Sequence, residues 1–252
     1  MSEAPSCGTS RDEDEDRVPG GRRVVSFVHR GGRMTDGQEH AWRLSWSEYG
    51  RELPLGDAPA PAAALDLAGW FGRTAPVIME IGSGMGESTA VLAAAAPDLD
   101  HLAVEVYQPG LGQLLMRIRE QGLTNLRLLR GDAVHVLRDH LGPDTLAGLR
   151  VYFPDPWPKR KHHKRRLIQP EFVALAASRL RPGGTLHLAT DWAHYAAQML
   201  EVCQAEPLLR NTAEDGGWTP RPDWRPLTKF EQRAREEGRE VRDLIYRRAD
   251  PA

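Results

Sequence analysis

The sequence predicts an α/β fold: a mostly parallel central sheet with helices on both faces. Two observations carry this. Five short apolar runs, partly β-branched, are spaced along the middle of the chain. Segments with helical periodicity separate them, and strands that alternate with helices form parallel sheets covered on both sides. In chain order, "TDGQEHAWRLSWSEYG" from Thr35 places Trp42, Trp46 and Tyr49 at helical spacing, so an amphipathic helix opens the domain. "APAPAAALDLAGWFG" reads as a linker running into a short helix. Strands follow at "VIMEI" (77–81), "HLAVEV" (101–106), "LRLLR" (126–130), "LRVYF" (149–153) and "TLHLAT" (185–190). Helical patterns occupy 86–96, 108–121, 132–140, 170–180 and 192–205. Near the end, "TKFE" enters a charged helix and "VRDLIYRR" reads as a last strand. No internal repeat interrupts this order.

At 252 residues, with 40% hydrophobic and 27% charged side chains, the chain has the composition of a globular domain with ample core. Cys7 and Cys203 are its only cysteines, which supports neither a disulfide framework nor a zinc site. No signal peptide and no run of about 18 apolar residues is present, so the expectation is a cytoplasmic protein without a membrane partner. The net charge of −2 hides an uneven distribution. Residues 1–16 carry six acids and one base, an acidic tail expected to be disordered through residue 21, with the folded domain at 22–252. The remainder is net basic, and six of the eight residues Lys159–Arg166 are Lys or Arg.

In open α/β sheets, ligands bind beyond the carboxyl ends of the strands. The first central strand ends in "EIGSGMGES", where Gly82, Gly84 and Gly86 permit a sharp turn and close approach of a ligand to the backbone. The spacing is G-x-G-x-G rather than that of the dinucleotide fingerprint, and no Lys-Ser/Thr pair follows to make a P-loop. Glu80 precedes the turn, where a carboxylate repels pyrophosphate and suits a cationic or hydroxyl-rich ligand. Glu105, at the end of the next strand, is placed to accept both hydrogen bonds of a ribose diol. Asp132 after the third strand either caps a helix or orients an adenine amino group. Together these features resemble the class I S-adenosylmethionine-dependent methyltransferases, with their Rossmann-like fold.

The fourth strand runs into "FPDPWPKRKHHKRR". Prolines on both sides hold Asp155 in a stiff turn, and the basic run leaves directly from it, which favours phosphate contacts. His162 and His163 read as RNA or structural contacts rather than metal ligands, because no third ligand has suitable spacing. Asp191 in "ATDW" stands on the same rim, as a partner for guanine's N1–H and amino group or as a helix cap. Thr228-Lys229-Phe230-Glu231 is a capping box or a substrate clamp.

With "SFVHRGGRMT", "VEVYQPG" and "GREVRDLIYRR", these motifs resemble the bacterial tRNA (guanine-N7)-methyltransferases from about Arg22 to Arg248. One departure is Ala234, where that family usually has glycine. The resemblance implies S-adenosylmethionine as cofactor, no metal, and guanosine 46 in the variable loop of tRNA as target. Carried over, Glu80, Gly82, Gly84, Gly86, Glu105, Asp132 and Asp155 surround the cofactor, with Asp155 catalytic. Lys159, Asp191, Thr228, Lys229, Phe230 and Glu231 hold the nucleoside. Lys161, His162, His163, Lys164, Arg165 and Arg166 contact RNA. The sequence is compatible with a monomer or a homodimer. Guanine N7 attacks through its lone pair without prior deprotonation, so positioning and electrostatics carry the reaction.

Overall fold

A computed structural model describes residues 26–27, 31–53 and 64–250. The expected acidic tail, the first residues of the domain and most of the linker at 54–63 lie outside the described residues. Helix α1 (Asp36–Tyr49) opens with a capping box. Thr35 Oγ1 accepts from the Gln38 N–H, and the Gln38 side chain accepts from the Thr35 N–H. Trp42 and Trp46 stack at 3.8 Å along α1, which packs against α4 (Gln108–Gln121).

An eight-stranded sheet forms from β1 (Gly50–Glu52), β2 (Val77–Ile81), β3 (Asp100–Glu105), β4 (Leu126–Arg130), β5 (Leu146–Tyr152), β6 (Leu180–Thr190), β7 (Leu209–Asn211) and β8 (Arg242–Arg248). Its spatial order is β1-β4-β3-β2-β5-β6-β8-β7. The first six strands in that order pair in parallel, and β8 is antiparallel to both β6 and β7. The predicted α/β architecture is the observed one.

Residues alternate between two cores. Met79, Leu102, Leu149 and Leu186 face one side, packing with Phe172 of α6 (Pro170–Arg179) and Tyr195 and Met199 of α7 (Ala193–Ala205). Ala103 and Leu128 face the other, against Ala90 and Ala93 of α3 (Glu87–Ala95) and the Leu111–Ile118 stripe of α4. Among the described residues, no helix is long and apolar enough to cross a membrane.

Several elements differ from expectation. β1 and β7 have three residues each, too few to show a period. The helix expected at 132–140 is one turn of α5 (Ala133–His135) continued by a π-helical turn (Val136–His140). β6 begins five residues early, crossing Pro182-Gly183-Gly184 with a register shift against β5. The strand accommodates that triplet as an irregularity. The short helix expected after the linker is α2 (Leu67–Phe71).

The start of α4 lies directly on the glycine turn after β2. A Cβ on Gly110 would come within 2.1 Å of the Gly84 carbonyl oxygen. Gly110→Ala is therefore expected to destabilise the protein by about 1–3 kcal/mol, although alanine is the better helix former. Urea unfolding checks this, and equal or greater stability would contradict the close approach.

Candidate active site

Chain order reverses beside β2: β3 and β4 extend the sheet on one side, β5 and β6 on the other. At such a switch point the loops after adjacent strands diverge and leave a crevice. The crevice here is a cavity of about 220 Å³, lined by Gly82 and Gly84 after β2, Glu105 at the end of β3, Asp132 after β4 and Asp155 after β5. Phe153, Tyr107 and Phe230 contribute aromatic wall.

Gly82 and Gly84 have φ of 78° and 55°, and a Cβ on either would meet nothing within 4 Å. The turn thus presents bare backbone to open space. Glu105 spans the crevice floor. Its Oε2 accepts from the Gly84 N–H at 2.9 Å, and its Oε1 accepts from the Val106 and Tyr107 N–H groups at 2.7 and 2.9 Å. Asp132 caps α5 by accepting from the Val134 N–H at 2.9 Å, while also lining the cavity.

Glu80 and Gly86 do not line the cavity. Glu80 is buried in the sheet, in register with Arg150 on β5. Burial pushes its carboxyl above the usual range, and the Arg150 charge opposes that shift. Gly86 packs on α4, where a Cβ would lie 2.5 Å from Leu114.

The Asp155 turn is bracketed by two aromatic residues in the left-handed region, Phe153 at φ 51° and Trp157 at φ 44°. Bulky residues rarely adopt it, and tertiary contacts hold both. The Phe153 N–H donates to the Ala189 carbonyl at 2.8 Å, continuing the β5–β6 ladder past the strand. Phe153 also stacks on Phe230, with centroids 6.0 Å apart. Trp157 lies edge-on to His162, carries the Arg165 guanidinium on its face at 4.9 Å, and donates from Nε1 to the Ser26 carbonyl.

The basic run folds as a 3-10 helix (Arg160–Arg165) in which no residue is buried. Lys159, Lys161, Lys164 and Arg165 are exposed, and His162 and His163 are half-buried. Arg166, expected among the RNA contacts, is turned into the protein instead. It is 3% exposed and pinned by side-chain and backbone partners. Its Nε donates to the Pro156 carbonyl at 2.9 Å and one Nη donates to Gln198 Oε1 at 2.7 Å. His163 and His194 lie 3.1 Å from its terminal nitrogens, and it packs over the Tyr195 ring.

Asp191, just after β6, pairs with Arg239. Helix α8 (Lys229–Glu236) begins at Thr228, whose hydroxyl accepts from the Glu231 N–H at 3.1 Å; this is the Thr half of the expected capping box, the Glu231 carboxylate being paired with arginines. Lys229 pairs with Glu87 on α3 at 2.9 Å, and Phe230 projects into the cavity wall. Glu231 is 0% exposed, ion-paired to Arg221, Arg225 and Arg235, and is not among the residues lining the cavity. Ala234 is buried in α8 without disturbing it. Sequence reasoning passed over the charged row that receives Glu231. Asp243, His187 and Arg150 look like isolated polar residues in apolar strands, and only register brings them together.

A family model described as a putative methyltransferase matches residues 74–244. The tRNA (guanine-N(7)-)-methyltransferase of Bordetella pertussis is 53% identical over 249 residues, covering 99% of this chain and 94% of that protein. Its counterpart from Streptomyces avermitilis is 53% identical over 230 residues, 91% of this chain and 77% of that protein. The chain belongs to the tRNA (guanine-N7)-methyltransferase family. Among solved structures, the 16S rRNA methyltransferase KamB superposes with a TM-score of 0.52 at 17% identity, covering 91% of this chain and all of that one. That likeness shows the class I methyltransferase fold.

S-adenosylmethionine, the cofactor of these methyltransferases, fits the cavity. Its described lining contains three carboxylates, Glu105, Asp132 and Asp155, and no Lys, Arg or His. Such a lining suits a sulfonium and an ammonium and opposes a phosphate. Among the described residues, no cluster of three or more His, Cys, Asp or Glu is arranged to hold a metal ion.

In this family member, Arg166 ties the Asp155 turn to α7. Arg166→Ala removes the donor to the Pro156 carbonyl and to Gln198, both half-buried acceptors, at a cost of about 1 kcal/mol. The melting temperature is expected to fall accordingly. An unchanged melting temperature would return Arg166 to the RNA-binding set.

Proposed function

We propose that the protein transfers a methyl group from S-adenosylmethionine to N7 of guanine in tRNA, and that guanosine 46 of the variable loop is the target. The observation that carries this reading is electrostatic. A cavity whose charged lining residues are all acids adjoins an exposed basic surface, and the turn bearing Asp155 separates the two by only a few residues. The family relationship supports tRNA guanine as the acceptor. S-adenosylmethionine, when bound, supplies the electrophilic methyl group.

In this reading, the bare backbone of Gly82 and Gly84 and the Glu105 carboxylate orient the cofactor's nucleoside, with Asp132 beside them. Asp155 acts on the acceptor. N7 attack leaves positive charge on the purine, and a carboxylate already fixed beside the ring stabilises that charge without reorganising. Lys159, Asp191 and the Thr228–Phe230 segment form the rim that holds the nucleoside, and the exposed cations bind the flanking phosphates. Access to the base requires local distortion of the tRNA. The activity is assigned to the cytoplasm, where its RNA substrate resides.

Nucleoside mass spectrometry of unmodified tRNA incubated with the protein and cofactor tests the activity. 7-Methylguanosine is expected, mapped to position 46 after nuclease digestion. Methylation at another position would correct the site, and methylation of rRNA but not tRNA would overturn the substrate.

The phosphate role has its own test. Lys161→Ala, Lys164→Ala and Arg165→Ala together remove three exposed cations while sparing Arg166. If each neutralises one phosphate, the log–log salt dependence of tRNA binding becomes shallower by roughly 2.1–2.7. Cofactor affinity is expected to stay constant. Parallel salt plots for variant and wild type would remove this loop from the RNA interface.

A further inference from the structure

The sheet face over β5, β6 and β8 carries a row of polar side chains. Tyr152, His187 and Asp243 point to it, and the covering elements are the segment 221–228 and helix α8. Helix α8 has little apolar seat: its buried residues are Glu231 and Ala234, and Phe230, which stacks on Phe153, is itself exposed. Its seat is ionic, and the centre of that seat is Arg225, which is 0% exposed.

We propose that Arg225 is a positioning residue for methyl transfer: its buried guanidinium locks helix α8, and with it Phe230, against the turn that carries Asp155. This deepens the functional reading above and rests on it. One Nη donates to Glu231 Oε2 at 2.7 Å. The other donates to Asp243 Oδ2 at 2.9 Å, and Nε lies 2.8 Å from Asp243 Oδ1. Asp243 Oδ1 also accepts from His187 Nε2 at 2.7 Å, and His187 Nδ1 meets the Tyr152 hydroxyl at 2.9 Å. Burial lowers the His187 pKa against the pull of Asp243, so the neutral ring suits both contacts. Tyr152 directly precedes Phe153, where the left-handed backbone of the Asp155 turn begins.

The chain of contacts therefore closes on both sides of the cavity rim. The guanidinium carbon lies 5.8 and 6.0 Å from the Tyr152 and Phe153 rings, beneath the turn. Its other partner, Glu231, follows Phe230, which stacks back on Phe153. Charge balance alone does not explain the arrangement. Glu231 is also paired with Arg221 and Arg235, both more exposed, so its charge is compensated without Arg225. What Arg225 alone supplies is the planar fork that joins Glu231 to Asp243, a geometry lysine cannot reproduce. Well-packed apolar side chains often stabilise a core as well as such a network does. Fixed geometry at the rim is the distinguishing gain.

Two variants test this: Arg225→Lys, and Arg225→Met combined with Asp243→Asn. The second leaves no orphaned charge, because Glu231 keeps Arg221 and Arg235. Hydrogen exchange of α8, cofactor affinity, and kcat and KM on tRNA are measured well below the melting temperature. In each, α8 exchange is expected to accelerate by about tenfold or more as the helix loosens. With α8 misplaced, kcat is expected to fall by about tenfold or more, a larger factor than any weakening of cofactor affinity through the displaced Phe230 wall. A folded variant with a protected α8 and wild-type kcat overturns the proposal. So does loss of the fold in both variants, which would make Arg225 a stability residue. Should the wild-type protein methylate no RNA, the functional reading fails, and α8 exchange still decides whether Arg225 seats the helix.

Discussion

Two aromatic residues held in the left-handed region, Phe153 and Trp157, fix the backbone on either side of Pro154-Asp155-Pro156. Each carries a cost of roughly 1–2 kcal/mol relative to relaxed backbone. The surrounding structure offsets it with specific contacts rather than bulk burial. The β5–β6 ladder extends one residue to catch the Phe153 N–H, Arg166 catches the Pro156 carbonyl, and Arg165 and His162 flank the Trp157 ring. Together these make the turn a fixed part of the sheet's rim rather than a loop.

That rigidity explains how opposite electrostatics coexist a few residues apart. The cavity side of the turn is lined by carboxylates, the outer side by exposed cations. Two cations are withdrawn from this surface and buried at its supports, Arg166 against α7 and Arg225 beneath Phe153. Both are arginines with several partners, as buried positions demand: a planar fork can satisfy several acceptors at once, and a buried charge without partners is costly. The basic run is thus a mixture, part exposed surface and part internal brace.

The fold was largely legible because strands buried on both faces give near-continuous apolar runs. "VIMEI" and "LRLLR" are β2 and β4 to the residue. The cavity residues Gly82, Gly84, Glu105, Asp132 and Asp155 were legible for a related reason: each stands where a central strand ends, and topology brings those ends together. Burial direction was not legible. Nothing local distinguishes Arg166 from Arg165, or tells that Glu231 turns inward while Phe230 turns to the cavity, 60% exposed. Those outcomes depend on His194, Gln198, Asp243 and Arg225, which are distant in sequence and meet only through packing. The polar row on β5, β6 and β8 escaped notice for the same reason, since register between strands is absent from any one strand's pattern.

The central claim is that a preorganised Asp155 carboxylate stabilises charge developing on the purine. Single-turnover methylation of tRNA by Asp155→Asn, at saturating cofactor and enzyme, tests it most directly, because the amide keeps the shape and removes the charge. The account predicts a methyl-transfer rate constant lower by about 100-fold or more, with tRNA affinity retained. A rate constant within about threefold of wild type would be worth under roughly 1 kcal/mol of transition-state stabilisation and would contradict the claim.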